Sequence, residues 1–254
     1  MKKRKPFEGA AQIARYNARF YLAAPPACAA LLALARNRAL PRWVRVLLRA
    51  GAVMAAWWTL ASLLVSHWVY DRSTLYRWDW IEEMLERAPV RWANLHCGLD
   101  ESSSSLRELF PQSEGEVLDF YDGTTMSEPS IALARRQQQD MPGAVLGTPI
   151  DFCNFPQTNN CYDTIFLFFS AHEIRDADLR LQFFGELHRV LQCGGRVLLV
   201  EHTRDFANFI AYGPGFFHFW PRSEWRRLAR ESGFRILREE AITPFVRVWL
   251  LEKP

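Results

Sequence analysis

From Ala50 to Tyr70 the chain carries no formal charge, reading AGAVMAAWWTLASLLVSHWVY. At ~1.5 Å per residue, a helix of that length matches the ~30 Å hydrocarbon core of a bilayer. A second uncharged stretch, FYLAAPPACAALLALA, lies between Arg19 and Arg36. It is shorter, and its Pro25-Pro26 pair would bend or break a helix. A basic connector with Arg36, Arg38, Arg42, Arg45 and Arg49 joins the two. Trp43, Trp68, Trp78 and Trp80 flank the longer stretch, as interface anchors would.

Charge separates the topologies these stretches allow. A single span over 50–70 puts the basic start Lys2-Lys3-Arg4-Lys5 inside and everything after it outside. Two full spans return the remainder to the cytoplasm but expel the arginine connector, against the positive-inside tendency. A shallow hairpin entering and leaving one leaflet keeps every arginine at anionic headgroups. The expectation is a monotopic helical hairpin contacting membrane lipid through residues 20–70, with the rest of the chain on the cytoplasmic side. The competing reading is a pair of soluble helices buried against the following domain or a dimer partner; a homo-oligomer fits either reading. A cleavable signal peptide is not expected, because Glu8, Gln12, Arg15, Asn17 and Arg19 interrupt the region after the basic start.

Averages conceal this asymmetry. Over 254 residues the chain is 49% hydrophobic and 23% charged, with a mean hydropathy of −0.15, which excludes a disordered chain and a polytopic membrane protein. A formal charge of +3 is too mild to indicate a nucleic-acid partner, and no basic, aromatic-interleaved groove follows residue 90. The cysteines, Cys28, Cys97, Cys153, Cys161 and Cys193, are odd in number and contain no C-x-x-C pair. Neither a disulfide framework nor a metal site is expected from them, and a reducing compartment fits better.

From about residue 90, short apolar runs alternate with amphipathic stretches, the signal of βαβ units around a mostly parallel sheet. The pattern predicts strands at Arg91–His96, Gly115–Tyr121, Ala144–Gly147, Thr164–Phe169, Gly195–Glu201, Phe234–Glu240 and Phe245–Glu252. Helices are predicted at Ser103–Phe110, Ser127–Gln138, Ala177–Leu191 and Ser223–Ser232, the last capped by Ser223 and terminated by Gly233. The chain thus divides into an N-terminal helical segment, 1–89, and a second domain, 90–254. Its fold class is α/β: a Rossmann-like, seven-stranded, mostly parallel sheet with helices on both faces, preceded by a helical hairpin.

Two segments carry a resemblance. In FFGELHRVLQCGGRVLLVEH (183–202) an amphipathic helix ends at Gly194-Gly195 and feeds an apolar strand, and YDTIFLFFSAHEIRD (162–176) supplies a strand with an acidic start at Asp163 and an exit at His172. With the element order, they make residues 90–254 resemble class I S-adenosylmethionine-dependent methyltransferases. The likeness is closest to the small-molecule type related to ubiquinone- and menaquinone-biosynthesis enzymes. The resemblance implies S-adenosylmethionine as cofactor, held at the carboxyl ends of the strands next to the topological switch point.

The same resemblance assigns cofactor contacts to His96, Gly98 and Asp100 after the first strand, and to Ser170 after the fourth. The loop NLHCGLDESSSS (94–105) has one glycine where the family has a glycine-rich turn, so Asp100 or Ser102 would substitute through its side chain. The acid that holds the ribose hydroxyls is Asp122 or Asp119. Asp122 is preferred, because it stands at the strand exit while Asp119 lies within the run. Asp151, with Phe152 against the ring, would hold the adenine. His172 and His202 fall on the rim as candidate bases, each with a structural role at a strand end as the alternative.

The segment TRDFANFIAYGPGFFHFWPR (203–222) is dense in aromatics around Gly213-Pro214-Gly215. It reads as an apolar lid over a lipophilic acceptor, with Glu173, Phe209, Tyr212, Phe216 and Trp220 as substrate contacts, or as a cover packed on the hairpin. The expected activity is methyl transfer to a lipophilic small molecule such as a quinone, isoprenoid or lipid. The alternative is a non-catalytic, methyltransferase-like membrane scaffold.

Overall fold

A computed structural model describes residues 6–140 and 146–254. The basic start at 2–5 and the first half of the predicted strand 144–147 lie outside the described residues. The helices are α1 (Glu8–Tyr16), α2 (Ala18–Leu34), α3 (Arg42–His67), α4 (Trp80–Leu85), α5 (Ser103–Leu109), α6 (Pro129–Asp140), α7 (Ala177–Val190), α8 (Phe206–Tyr212) and α9 (Arg222–Glu231). The strands are β1 (Arg91–His96), β2 (Glu114–Asp119), β3 (Thr148–Pro149), β4 (Tyr162–Phe168), β5 (Leu191–His202), β6 (Arg235–Thr243) and β7 (Val246–Glu252). Two compact units result. One gathers the helical segment up to Ser73 with Phe206–Phe216; the other gathers Thr74–Asp205 with Phe217–Pro254.

In the helical unit α2 and α3 pack antiparallel. Tyr21 Oη lies 2.9 Å from Ser62 Oγ, Cys28 Sγ donates to the Ala52 carbonyl at 3.5 Å, and Leu31 reaches Gly51. The packed face of α3 is therefore small and partly polar, with Ala52, Ser62 and Ser66 buried. Its opposite face is large and apolar. Trp43, Val46, Leu47, Val53, Met54, Trp57, Leu60 and Leu64 are all exposed, and the helical period puts them on one side as a stripe. That is the reverse of a water-facing amphipathic helix, which turns its large apolar residues inward. Only 17% of the most apolar part of Arg42–Arg77 is buried, and this segment is long and apolar enough to cross a membrane.

Three expectations are corrected here. α2 runs through Pro25-Pro26 without a break, because both prolines are exposed and forfeit only their own N–H bonds. Trp78 is buried in the sheet unit, edge-on to Phe168 with centroids 5.2 Å apart, and Trp80 donates to the Leu75 carbonyl at 3.0 Å. Of the four flanking tryptophans only Trp43 and Trp68 are exposed.

The sheet order is β3-β2-β1-β4-β5-β7-β6, parallel except for β7, which runs antiparallel to both of its neighbours. Central strands read as unbroken apolar runs because both of their faces are covered, as in Val197–Val200 of β5. The edge strand β6 carries Arg235, Arg238, Glu239 and Glu240, charges that discourage edge-to-edge pairing. Asp163 fixes the start of β1, accepting from the N–H groups of Val90 and Arg91 at 2.7 Å each.

Two local readings also change. α7 ends at Val190 and Leu191 is already extended, so the helix does not terminate at the glycine pair. Gly194, at φ +70°, instead forms a bulge that lets its N–H reach the Lys253 carbonyl at 2.7 Å. Ser223 lies inside α9, whose first cap position is Pro221; Gly233 does follow the helix at φ +83°.

Candidate active site

Strand order reverses between β1 and β4, and the carboxyl ends of β1, β2 and β4 open onto the crevice where doubly wound sheets bind nucleotides. The β1–α5 loop is stiffened by side chains rather than by glycines. Asp100 Oδ1 accepts from the N–H groups of Ser102 and Ser103 at 3.0 Å each. Asn94 Nδ2 donates to the hydroxyls of Ser102 (2.8 Å) and Ser103 (2.7 Å). The Asp100 N–H donates to Gln138 Oε1 on α6 at 3.0 Å, and Gly98 packs on Ala134 of the same helix. Asp100 thus organises the loop through bonds to its own N–H groups and to α6.

At the β2 exit the structure reverses the order of the two aspartates. β2 ends at Asp119, so Asp119 is the strand-end acid and Asp122 lies three residues beyond. The Asp122 carboxylate caps a turn, accepting from the Thr124 N–H and from the Thr124 and Thr125 hydroxyls, and these bonds hold its pKa below the usual range. Asp119 faces Arg135 of α6, with Nη1 2.9 Å from Oδ1 and 2.8 Å from Oδ2. Arg135 also donates to the Cys97 carbonyl at 3.1 Å and lies over the Tyr121 ring.

His96 ends β1, buried, and neither ring nitrogen is hydrogen-bonded among the described residues. A Cβ at Gly147 would stand 2.8 Å from its Nε2, so Gly147 makes room for this ring. Ser170 ties β4 to β1 by donating to the Leu95 carbonyl at 3.2 Å. Asp151 accepts from the Cys153 N–H at 2.8 Å within a turn. Phe152 is buried in the core against Phe183, so its ring is a packing element.

After β4 lies a buried ionisable cluster. His172 Nδ1 is 2.7 Å from Glu201 Oε2, and its Nε2 is 3.4 Å from Glu173 Oε1. His218 Nε2 stands 3.8 Å from the same Glu173 oxygen. Burial alone would favour a neutral His172, but the charges of Glu201 and Glu173 together outweigh it and push the pKa up to about 10. Burial, and then the positive His172, push His218 down to about 4. The Cys97 thiol is held protonated by burial and by the charges of Glu173 and Asp119, so the β1, β2 and β4 exits share one electrostatic neighbourhood. At the end of β5, His202 Nδ1 donates to the Phe245 carbonyl at 2.9 Å and its ring stacks on Phe219.

Because His172 binds its proton more tightly when folded, it stabilises the protein fully below its ordinary pKa of about 6.5. That contribution is lost as the pH rises through about 10. Glu201→Gln should therefore flatten the fall in melting temperature between pH 7 and pH 10. At pH 7 it should cost on the order of 3 kcal/mol, as for other broken buried pairs. Parallel melting curves of the two proteins, equally steep above pH 7, would contradict the assignment.

The candidate substrate residues divide between the units. Glu173 and Trp220 belong to the sheet unit, where Trp220 donates to the His172 carbonyl at 3.2 Å beneath the guanidinium groups of Arg175 and Arg180. Phe209, Tyr212 and Phe216 belong to the helical unit. There Phe209 packs edge-on against Trp58 and Phe216, and Trp57 donates to the Ile210 carbonyl. Within that unit the segment is a cover on the hairpin. Sequence reasoning passed over Arg135, Asn94 and His218. His218 lay in plain view inside the aromatic run; for Arg135 only the fold brings a helix residue to a strand exit.

No family model matches the chain. Over 121 residues it is 29% identical to a demethylmenaquinone methyltransferase of Thermus thermophilus, covering 48% of this chain and 51% of that protein. It thus spans about half the length of this curated relative. Human N-acetylserotonin methyltransferase, solved in complex with S-adenosylmethionine, superposes with a TM-score of 0.55 at 15% identity, covering 98% of this chain and 71% of that one. The PH0226 protein of Pyrococcus horikoshii OT3 gives 0.52 at 17% identity over 72% of this chain and 92% of its own. The [4+2]-cyclase SpnF gives 0.50 at 15% identity over 70% and 80%. At these identities the likeness is one of fold, and the chain has the Rossmann-like α/β fold of the methyltransferases among these structures.

Proposed function

We propose that the chain is a membrane-associated methyltransferase that moves a methyl group from S-adenosylmethionine to a lipophilic small molecule of the quinone, isoprenoid or lipid class. The supporting observation is the coincidence of the 29% match to a demethylmenaquinone methyltransferase with a sheet whose strands beside the switch point end at Asp119 and His96, next to the braced 97–103 loop. The exposed apolar stripe of α3 supports lipid contact through residues 20–70, and the arginine-rich connector favours the cytoplasmic face.

When bound, the cofactor supplies an electrophilic methyl on a sulfonium, and the protein's part is alignment and exclusion of water. Asp119 would accept from the ribose hydroxyls, with Arg135 sharing its carboxylate. The loop braced by Asp100 presents a rigid backbone to the amino-acid end. Asp151 is the remaining acid for the adenine. His172 holds its proton at neutral pH, which suits it to stabilise negative charge developing on the acceptor rather than to take a proton. Calorimetric titration of detergent-purified protein with S-adenosylhomocysteine should show saturable binding, and lipid extracts of cells lacking the gene should lack one methylated species. No binding at millimolar ligand would overturn the reading.

One observation favours a second reading. Arg135 already neutralises Asp119, as would suit a scaffold that keeps the fold without the cofactor. That protein would bind membranes normally and S-adenosylhomocysteine not at all.

A further inference from the structure

Glu201 and Glu173 approach His172 from both sides, so two buried carboxylates converge on one imidazole. Such an arrangement demands a positive charge between the acids. A proton on His172 supplies one, but it leaves His218 and one oxygen of Glu173 without a role. Glu173 Oε2 is buried and has no hydrogen-bond partner among the described residues, while one atom each from His172, Glu173 and His218 lies within 4.8 Å of the others.

We infer that His172, Glu173 and His218 form a binding site for a divalent first-row transition metal of the zinc type, a site the cysteine pattern gave no reason to expect. Two imidazoles and one carboxylate are an established ligand set for zinc, and three protein ligands leave a further position for water or a substrate oxygen. His172 Nε2 and Glu173 Oε1, 3.4 Å apart, already have the separation of two ligands on one ion. The His218 ring stands nearly perpendicular to that of His172, with centroids 4.9 Å apart, and its Nε2 is 3.8 Å from Glu173 Oε1, so a small side-chain movement closes the site. A metal at Nε2 takes the place of the imidazolium proton and satisfies the same two carboxylates, so the protonated His172 is the metal-free state.

The surrounding contacts are those that hold a site in place. Glu201 on Nδ1 makes a carboxylate–histidine pair that orients the ring and raises its basicity toward a metal. Arg175 Nη1 donates to the backbone carbonyls of both histidines, at 3.3 Å to His172 and 2.7 Å to His218, so the two ligand-bearing segments are tied together. Trp220 makes a third tie to the His172 carbonyl. All of these residues belong to the sheet unit, and the inference does not depend on methyl transfer.

The test uses the full chain in detergent, stripped by chelator and titrated with Zn2+ and separately with Co2+. One equivalent of zinc should bind per chain. His218→Ala and Glu173→Gln should each weaken binding by about 100-fold, and Glu201→Gln by about 10-fold. The His218 side chain is about one-third exposed, so its replacement leaves the core intact, and His218→Gln provides a second probe of the same ligand. The Co2+ complex should show the visible bands of nitrogen and oxygen ligands without thiolate charge transfer. Absence of binding, stoichiometric zinc that survives loss of His172 and His218 together, or a thiolate band would each overturn the site.

Discussion

Glutamate placed at Val53 and Leu60 together should release the protein from anionic liposomes while leaving the sheet unit folded. Both residues are exposed, at 67% and 62%, on the stripe formed by one side of α3. In water neither contributes to packing, so the exchange should be close to neutral for folding. At a membrane each exchange removes a buried aliphatic side chain and introduces a charge, costing about 2–3 kcal/mol of partitioning. Two such changes should weaken liposome binding by at least about 10³-fold, read by co-sedimentation. Arg42 and Arg45 to alanine should act differently, making binding less dependent on anionic lipid and less sensitive to salt. Wild-type protein that stays in the supernatant at low salt, or a double variant that sediments like wild type, would defeat the membrane assignment. The experiment turns on an inverted helix, with small Ala52, Ser62 and Ser66 packed inside and tryptophan and leucine outside.

Loss of the Asp119 carboxylate should be the most damaging single change to cofactor binding. An ionised acceptor for two ribose hydroxyls is worth about 1.5–3 kcal/mol per hydrogen bond. Asp119→Ala should therefore raise the dissociation constant for S-adenosylhomocysteine by about 10²–10³-fold, with Asp119→Asn partway between. Asp122→Ala should change it by less than about threefold, since that carboxylate is engaged with Thr124 and Thr125 and little buried. Arg135→Leu separates the ribose role from a merely structural one. If Arg135 competes for the carboxylate, its removal tightens the ligand; if it positions the carboxylate, affinity falls as the melting temperature does. A larger loss at Asp122 than at Asp119 would restore the order that the sequence suggests.

The two aspartates show where local reading stops. In Gly115–Asp122 both acids follow an apolar run, and a strand boundary uncertain by two residues decides which one stands at its end. Pairing settles it: Asp119 is the last residue of β2 in register with β1, opposite His96. The Gly194-Gly195 turn is a similar case. The glycines mark a break in regular structure, but whether they end the helix or bulge the strand depends on the Lys253 contact from the far end of the chain.

What the sequence alone determined is what local periodicity encodes. Runs of alternating and amphipathic residues placed six of the seven strands and the helices α5, α6, α7 and α9 to within a few residues, while β3, Thr148–Pro149, begins just past the strand expected at 144–147; uncharged length singled out 50–70, because period and hydropathy are properties of neighbours along the chain. The tertiary structure decided everything that depends on residues distant in sequence. It turned the small face of α3 inward and set Trp78 apart from Trp68. It joined Phe206–Phe216 to the helical unit, brought Arg135 to the strand exit, and closed His172, Glu173, Glu201 and His218 into one buried cluster. The faces of α3 do differ at helical spacing, but which of them turns inward, like each of the other meetings, depends on partners that no spacing rule along the chain records.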